Sequence, residues 1–303
     1  MGLNITNSGD TDVTAVFDYD HDITDSSSWV SSDDYDITIS GDYSFTAVTL
    51  APENSTTNVY EVAAVYSDSL RSIVVKPNTY DSIKFVASIL QNRTEEGDAL
   101  ATAKSQFDAA LGDDDLFEKH VAGWEELWNS SRGGGTVDVT TSDDEANNEL
   151  NRIIHSSLYA MLTSIRSELP FGMSPGGLST NGYKGHTFWD QETWMVPPLL
   201  AIGERNLSES ILEYRVETLG GAEQGAIDNG WEGAQFAWES CVSGHEEYWY
   251  GECGTYEHHI TSDVVNAFQQ RFYAFKDVGW LERVSDVIFG AASFWAIDHS
   301  EHA

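Results

Sequence analysis

The hydrophobic periodicity of the chain changes once, near Glu95, and that change constrains the fold more than any other feature. From Asn4 to about Leu90 the pattern alternates through Val13-Thr14-Ala15-Val16-Phe17, Tyr43 to Val48, Val59 to Tyr66 and Ile83 to Ile89, with turn residues between. Period two sends successive side chains to opposite faces, as in the strands of an antiparallel sandwich. Beyond Glu95 the spacing is helical, first at Leu100, Ala103, Phe107 and Leu111, then at Phe117, Val121, Trp124, Leu127 and Trp128. Strands followed by helices predict an α+β multidomain chain: a β-sandwich over 1–94, a helical linker over 95–141 and a helical domain over 142–303.

The helical domain opens with the Gly-rich break at 131–135, a short strand at 136–140 and the acidic start Ser142-Asp143-Asp144-Glu145. A helix from about Glu145 to Ser167 is expected to turn Leu150, Ile153, Ile154, Ser157, Leu158, Met161 and Ile165 inward. Further helices are expected at 191–202, 207–229, 261–275 and 281–297, separated by long loops at 170–190 and 230–260. Loops of that length inside a compact helical domain usually carry function.

Charge narrows the setting. The formal net charge of -35, from 50 acidic and 15 basic residues spread along the chain, would repel itself in dilute buffer. Molar salt shortens the Debye length to about 3 Å and removes most of that cost, so adaptation to high salt is expected. With six lysines and no basic stripe, nucleic acid is excluded as a partner. No apolar run is long enough to span a membrane. The compartment is left open between the cytoplasm of a high-salt organism and secretion.

Most of the unusual chemistry falls in the two long loops. Nine of the ten tryptophans follow residue 120, and Trp189, Trp194, Trp231, Trp238 and Trp249 lie in or beside those loops. Indole faces pack on sugar C–H faces while carboxylates accept the hydroxyl hydrogens, so a carboxylate-rich aromatic cleft suits a carbohydrate. Phe188-Trp189-Asp190-Gln191-Glu192 places an indole beside two carboxylates at a loop-to-helix transition. The plainer reading is that Asp190 caps the following helix and Trp189 is core.

Gly233 to Ser240, His245-Glu246-Glu247 and Tyr256 to Asp263 form a second constellation of carboxylates and histidines. In so acidic a chain most glutamates are solvated, Glu246 and Glu247 being the clearest examples. Cys241 and Cys253 could be bridged, free, or join His245 and His258 or His259 at zinc, but their spacing matches no compact zinc pattern and no metal site is assigned.

The run Gly182-Tyr183-Lys184-Gly185-His186-Thr187-Phe188-Trp189-Asp190-Gln191-Glu192-Thr193-Trp194-Met195 closely resembles the Gly-Tyr-x-Gly-His-x-Phe-Trp-Asp-x-Glu signature of glycoside hydrolase family 65. Leu212-Glu213-Tyr214-Arg215, Gly233 to Ser240 and Glu257-His258-His259 match in the same order. The resemblance covers most of residues 95–297. It implies an N-terminal antiparallel β-sandwich, a helical linker and the first part of an (α/α)6 barrel.

The resemblance also implies inverting cleavage of an α-linked glucose disaccharide or glucosyl glycoside, with Trp189, Asp190, Glu192, Trp238, Glu239, Glu257 and His259 binding the sugar. Phe236-Ala237-Trp238-Glu239-Ser240 looks more like the hydrolase branch than the phosphorylases. No cofactor is implied, and inorganic phosphate is a co-substrate only for a phosphorylase. A non-catalytic glycan-binding module is a further alternative.

One departure stands out. The family's catalytic acid lies in a Pro-x-Glu-Tyr type motif downstream of Glu-x-His, and no such motif occurs before Ala303. Glu257 and Glu239 are the stand-in candidates for a catalytic carboxyl, joined by Glu246 if the chain is active alone. The chain is therefore expected to be a piece of a longer enzyme, inactive alone, with a partial sandwich and a truncated barrel.

Overall fold

The computed structural model describes residues 2–18, 35–40, 43–50, 60–67, 70–84, 86–92, 99–129, 137–178, 180, 182–248 and 252–296. Two compact units divide the chain, 1–123 and 124–303.

Among the described residues of the first unit there are eight strands: β1 (Gly2–Asn7), β2 (Val13–Asp18), β3 (Tyr35–Ser40), β4 (Tyr43–Leu50), β5 (Tyr60–Ser67), β6 (Leu70–Val75), β7 (Thr79–Lys84) and β8 (Ala87–Asn92). All pairings are antiparallel: β1 with β7, β2 with β6, and a four-stranded sheet in the order β3-β4-β5-β8. The alternating stretch at Ile83–Ile89 is two strands rather than one, because β7 ends at Lys84 on β1 and β8 begins at Ala87 on β5.

Helix α1 (Ala99–Gly112) packs on β5 and β8. Its stripe buries Ala103 and Phe107, four residues apart, and Gln106 accepts a hydrogen bond from Ser88 Oγ at 2.9 Å. Leu111 stays exposed at the end of that stripe. Helix α2 (Leu116–Asn129) spans the division between the units, with Phe117 exposed.

In the second unit α3 (Asp144–Leu162) is capped by Asp143, whose side chain accepts from the Glu145 and Ala146 amides. Only its last turns meet the core. Leu158 and Leu162 are buried, whereas Leu150 and Ile153, expected inward, are exposed. The expected strand at 136–140 is not formed over residues 137–140, which have no regular secondary structure, and residue 136 and the Gly-rich break lie outside the described residues. Asn151 supplies the missing ladder, accepting from Val139 N at 2.7 Å and donating to Val139 O at 3.1 Å.

The remaining elements are β9 (Thr187–Phe188), a π-helical turn (Gln191–Met195), α4 (Val196–Ala201), α5 (Arg205–Glu217), α6 (Leu219–Asp228), β10 (Glu239–Ser240), α7 (Cys253–Tyr256), α8 (His259–Phe275), α9 (Val278–Arg283) and α10 (Ser285–Ala296). Their core gathers Leu199, Ile211, Leu212, Ile260, Val264, Phe268, Trp280 and Val287, with Trp189 and Trp238 packed against its edge. The single helix expected over 207–229 is broken at Thr218, whose hydroxyl bonds back to Tyr214 O at 2.7 Å. That over 281–297 is likewise divided, at Val284.

Candidate functional site

The π turn sets the first group of side chains. Val196 N reaches back five residues to Gln191 O, and Pro197 and Pro198 carry no N–H with which to continue an α ladder. Single π turns recur at functional sites because they shift the direction of the preceding side chains. Asp190 stands at the mouth of this turn and makes no capping bond, so the helix-cap reading does not hold. Burial, followed by the nearby Glu192 carboxylate, raises the Asp190 pKa above its ordinary value, while a backbone N–H pulls the other way.

Glu192, expected on the sugar, is placed elsewhere. Its side chain is fully buried, and both carboxylate oxygens accept from Arg215, Nε to Oε1 at 2.9 Å and Nη2 to Oε2 at 3.0 Å. Gln191 Nε2 also donates to Oε1 at 2.8 Å, while Gln191 Oε1 accepts from Met173 N. These partners occupy both oxygens, so Glu192 ties the turn to α5 and is not a sugar ligand in this arrangement. Around Arg215, Tyr214 donates to Ser240 Oγ at 2.9 Å and the guanidinium lies 5.8 Å from the Phe236 ring centre.

Strands β9 and β10 join the two long loops. Their antiparallel register sets Phe188 opposite Glu239 and Thr187 opposite Ser240. The Phe188 ring meets Trp238 edge-on at 5.0 Å, and Trp238 meets Tyr248 at 4.9 Å. His186 Nδ1 lies 2.8 Å from Glu239 Oε1, with both side chains mostly buried.

Glu246 is a correction. Its carboxylate is not solvated but accepts from the Trp238 amide at 2.7 Å, the Tyr248 amide at 3.0 Å and the Glu239 amide at 3.2 Å. Burial raises its pKa despite these three donors. A Cβ at Gly254 would lie 2.6 Å from Glu246 Cδ, so only glycine lets the 252–256 segment close over this carboxyl.

The third block comes from the start of α8. His259 meets the Trp189 ring at 5.1 Å and 88°, and Trp189 meets the exposed Trp194 at 4.8 Å. His259 Nδ1 lies 2.6 Å from Asp263 Oδ2, and its Nε2 3.2 Å from Glu257 Oε2. Desolvation pulls the imidazole pKa down, but hydrogen bonds to Asp263 and then Glu257 outweigh it and leave the value raised. His258 turns away, bonding Thr255 O at 2.9 Å and packing on Trp231 and Phe294.

The structure sets Trp238 and Glu239 against Phe188 and His186 through the β9–β10 pairing, sets Trp189 and Glu257 against His259 with Asp190 next to Trp189 in the chain, and sends Glu192 into the interior. Sequence reasoning named Arg215 and Asp263 within these runs without giving either a role, and read Glu246 as solvated. The only available signal for Asp263 was its place four residues after His259 on one helix face. Cys241 and Cys253 are not bridged by a disulfide, and among the described residues no group of three or more His, Cys, Asp or Glu side chains is arranged to hold a metal ion. No helix among them is long and apolar enough to cross a membrane.

Comparisons with known proteins point to one family. Residues 155–303 match the family model described as the glycosyl hydrolase family 65 central catalytic domain. A protein-glucosylgalactosylhydroxylysine glucosidase of Dictyostelium discoideum is 34% identical over 244 residues, which cover 78% of this chain and 32% of that protein. A kojibiose hydrolase of Mucilaginibacter mallensis is 36% identical over 187 residues, covering 61% and 26%. A kojibiose phosphorylase of Thermoanaerobacter brockii is 29% identical over 230 residues, covering 70% and 28%. The chain therefore spans about a third or less of the length of these curated relatives.

Among solved structures, a protein assigned as a kojibiose phosphorylase from human microbiome superposes with a TM-score of 0.70 at 16% identity, over 93% of this chain and 40% of that one. This likeness extends the shared mixed α and β fold to nearly the whole chain. Through residues 155–303, this chain belongs to glycosyl hydrolase family 65.

Proposed function

We propose that the chain carries the glucose-holding part of an inverting enzyme that cleaves α-glucosides by hydrolysis. The observation that carries this reading is the convergence at Trp189: the β9–β10 pairing sets the Trp238-Glu239 segment beside it, and His259 touches its ring. In this reading Trp189 and Trp238 pack on the apolar faces of the sugar, and Asp190, Glu239 and Glu257 accept its hydroxyl hydrogens. An imidazole engages one oxygen of Glu239 and one of Glu257, which fixes the direction of each carboxylate.

Inversion requires one carboxylic acid to protonate the leaving oxygen while a carboxylate opposite activates water. The proposal assigns residues of this chain to binding and neither catalytic role to them. Hydrolysis is favoured over phosphorolysis by the wording Phe236 to Ser240 and by higher identity to the glucosidase and hydrolase than to the phosphorylase. The architecture proposed is a β-sandwich over 1–94, a helical linker over 95–141 and part of an (α/α)6 barrel over 142–303.

The test is sugar binding and product analysis in molar KCl with kojibiose, trehalose and maltose. Saturable binding seen in tryptophan fluorescence is expected. Any glucose release is expected to be independent of phosphate, whereas formation of glucose 1-phosphate would favour the phosphorylase. Failure to bind any α-glucoside would overturn the reading.

A further inference from the structure

His259 is clamped in a way that a sugar-facing histidine does not require. Both ring nitrogens face carboxylate oxygens, Nδ1 on Asp263 at 2.6 Å and Nε2 on Glu257 at 3.2 Å. A neutral imidazole has one N–H and one lone pair, so it would satisfy one carboxylate and set a lone pair against the other. Two donors are needed, which is the imidazolium. The ring is nearly perpendicular to Trp189, 5.1 Å between centres, and about half of the His259 side chain is open to solvent.

We propose that Asp263 is a positioning residue for this site: with Glu257 it holds His259 as a cation, and that cation braces the Trp189 ring and fixes the Glu257 carboxylate. This rests on the functional reading above and adds a residue and a control to it. Asp263 sits one turn along α8 from His259, so the shorter bond is set by helix geometry and the longer one by the segment before the helix.

The groups around His259 are few. Asp263 comes from its own helix, Glu257 from the preceding segment, and Trp189 from the π-turn side with Asp190 next to it in the chain. Burial, then a hydrogen bond to Glu257 and the charge of that carboxylate, raise the pKa of the Cys253 thiol of α7. Both carboxylates favour the charged ring, in keeping with the raised pKa of His259. When pH rises through that value the ring loses one proton to solvent, one of its two bonds is lost, and Glu257 or Asp263 is released.

The test uses tryptophan fluorescence and glucose binding across pH on wild type, Asp263→Asn and His259→Gln. Without sugar, the imidazolium against Trp189 should give wild type a fluorescence step above the ordinary imidazole range. Asp263→Asn, which keeps a hydrogen-bonding oxygen but loses the charge, should move that step to lower pH. His259→Gln should remove it.

Glucose affinity of wild type should fall by about tenfold or more as pH rises through the step, the worth of one charged hydrogen bond, and the fall should shift with the step in Asp263→Asn. A purely structural Asp263 would change stability and leave the pH of the step unmoved, which would overturn the proposal. Glucose binding that does not change across the step would overturn it as well, with the functional reading intact. Absence of glucose binding at every pH, with the fluorescence step present, would overturn the functional reading and the link to sugar with it.

Discussion

Glu192 and Arg215 meet as a two-pronged ion pair with neither side chain reaching solvent, although Glu192 lies only two residues from Asp190 in the same motif. The turn between them separates two jobs. Asp190 is left half-buried at the start of the turn with no capping bond, and Glu192 locks the turn to α5.

Removing one partner of a buried pair leaves the other charge uncompensated. Arg215→Ala should therefore cost about 3–5 kcal/mol in urea denaturation, and Glu192→Leu combined with Arg215→Met should recover most of that loss. A loss below about 1 kcal/mol in the single variant would mean that the pair does not hold the turn.

Glu246 makes a pH prediction with a definite sign. Its folded pKa is raised by burial above the unfolded value, so the folded state binds the proton more readily. The stability it contributes is present at low pH and is lost as pH rises through the folded value. Wild type should lose stability relative to Glu246→Gln as pH rises from the ordinary glutamate value of 4.5 through the raised folded value, measured by denaturation at closely spaced pH. A relative gain over that window would contradict the burial of this carboxyl.

The net charge of -35 predicts that molar KCl raises the melting temperature well beyond its value in dilute buffer. Thermal scans from low to molar KCl check this. A melting temperature that is flat or falling with salt would remove the high-salt expectation.

Much of the architecture was legible because it is written in periodicity. Val13–Phe17 and Tyr43–Val48 are strands, and Ala103 and Phe107 are the buried stripe of α1, as their spacing predicts. Periodicity says which face is apolar but not what lies against it. Leu150 and Ile153 have the spacing of a buried stripe and remain exposed, because the first half of α3 lies outside the core.

The clustering of the aromatic side chains around Trp189 and Trp238 was legible in residue type. The roles of the carboxylates were not, because in a chain with 50 acidic residues identity carries little information about burial. Glu192, Glu246 and Glu257 are alike in sequence. They differ in having Arg215, three backbone amides or His259 against them, and those neighbours are brought in by chain distant in sequence or by the local path of the backbone.

The most direct measurement of the central claim is calorimetric titration of glucose into wild type and Asp190→Asn in molar KCl, with melting temperatures alongside. Asp190 makes no capping bond, so the substitution should change stability by less than about 0.5 kcal/mol. It should weaken glucose binding by about tenfold or more through loss of a charged acceptor. Equal affinity in the two proteins would contradict the assignment of Asp190 to the sugar, and with it the account of the site.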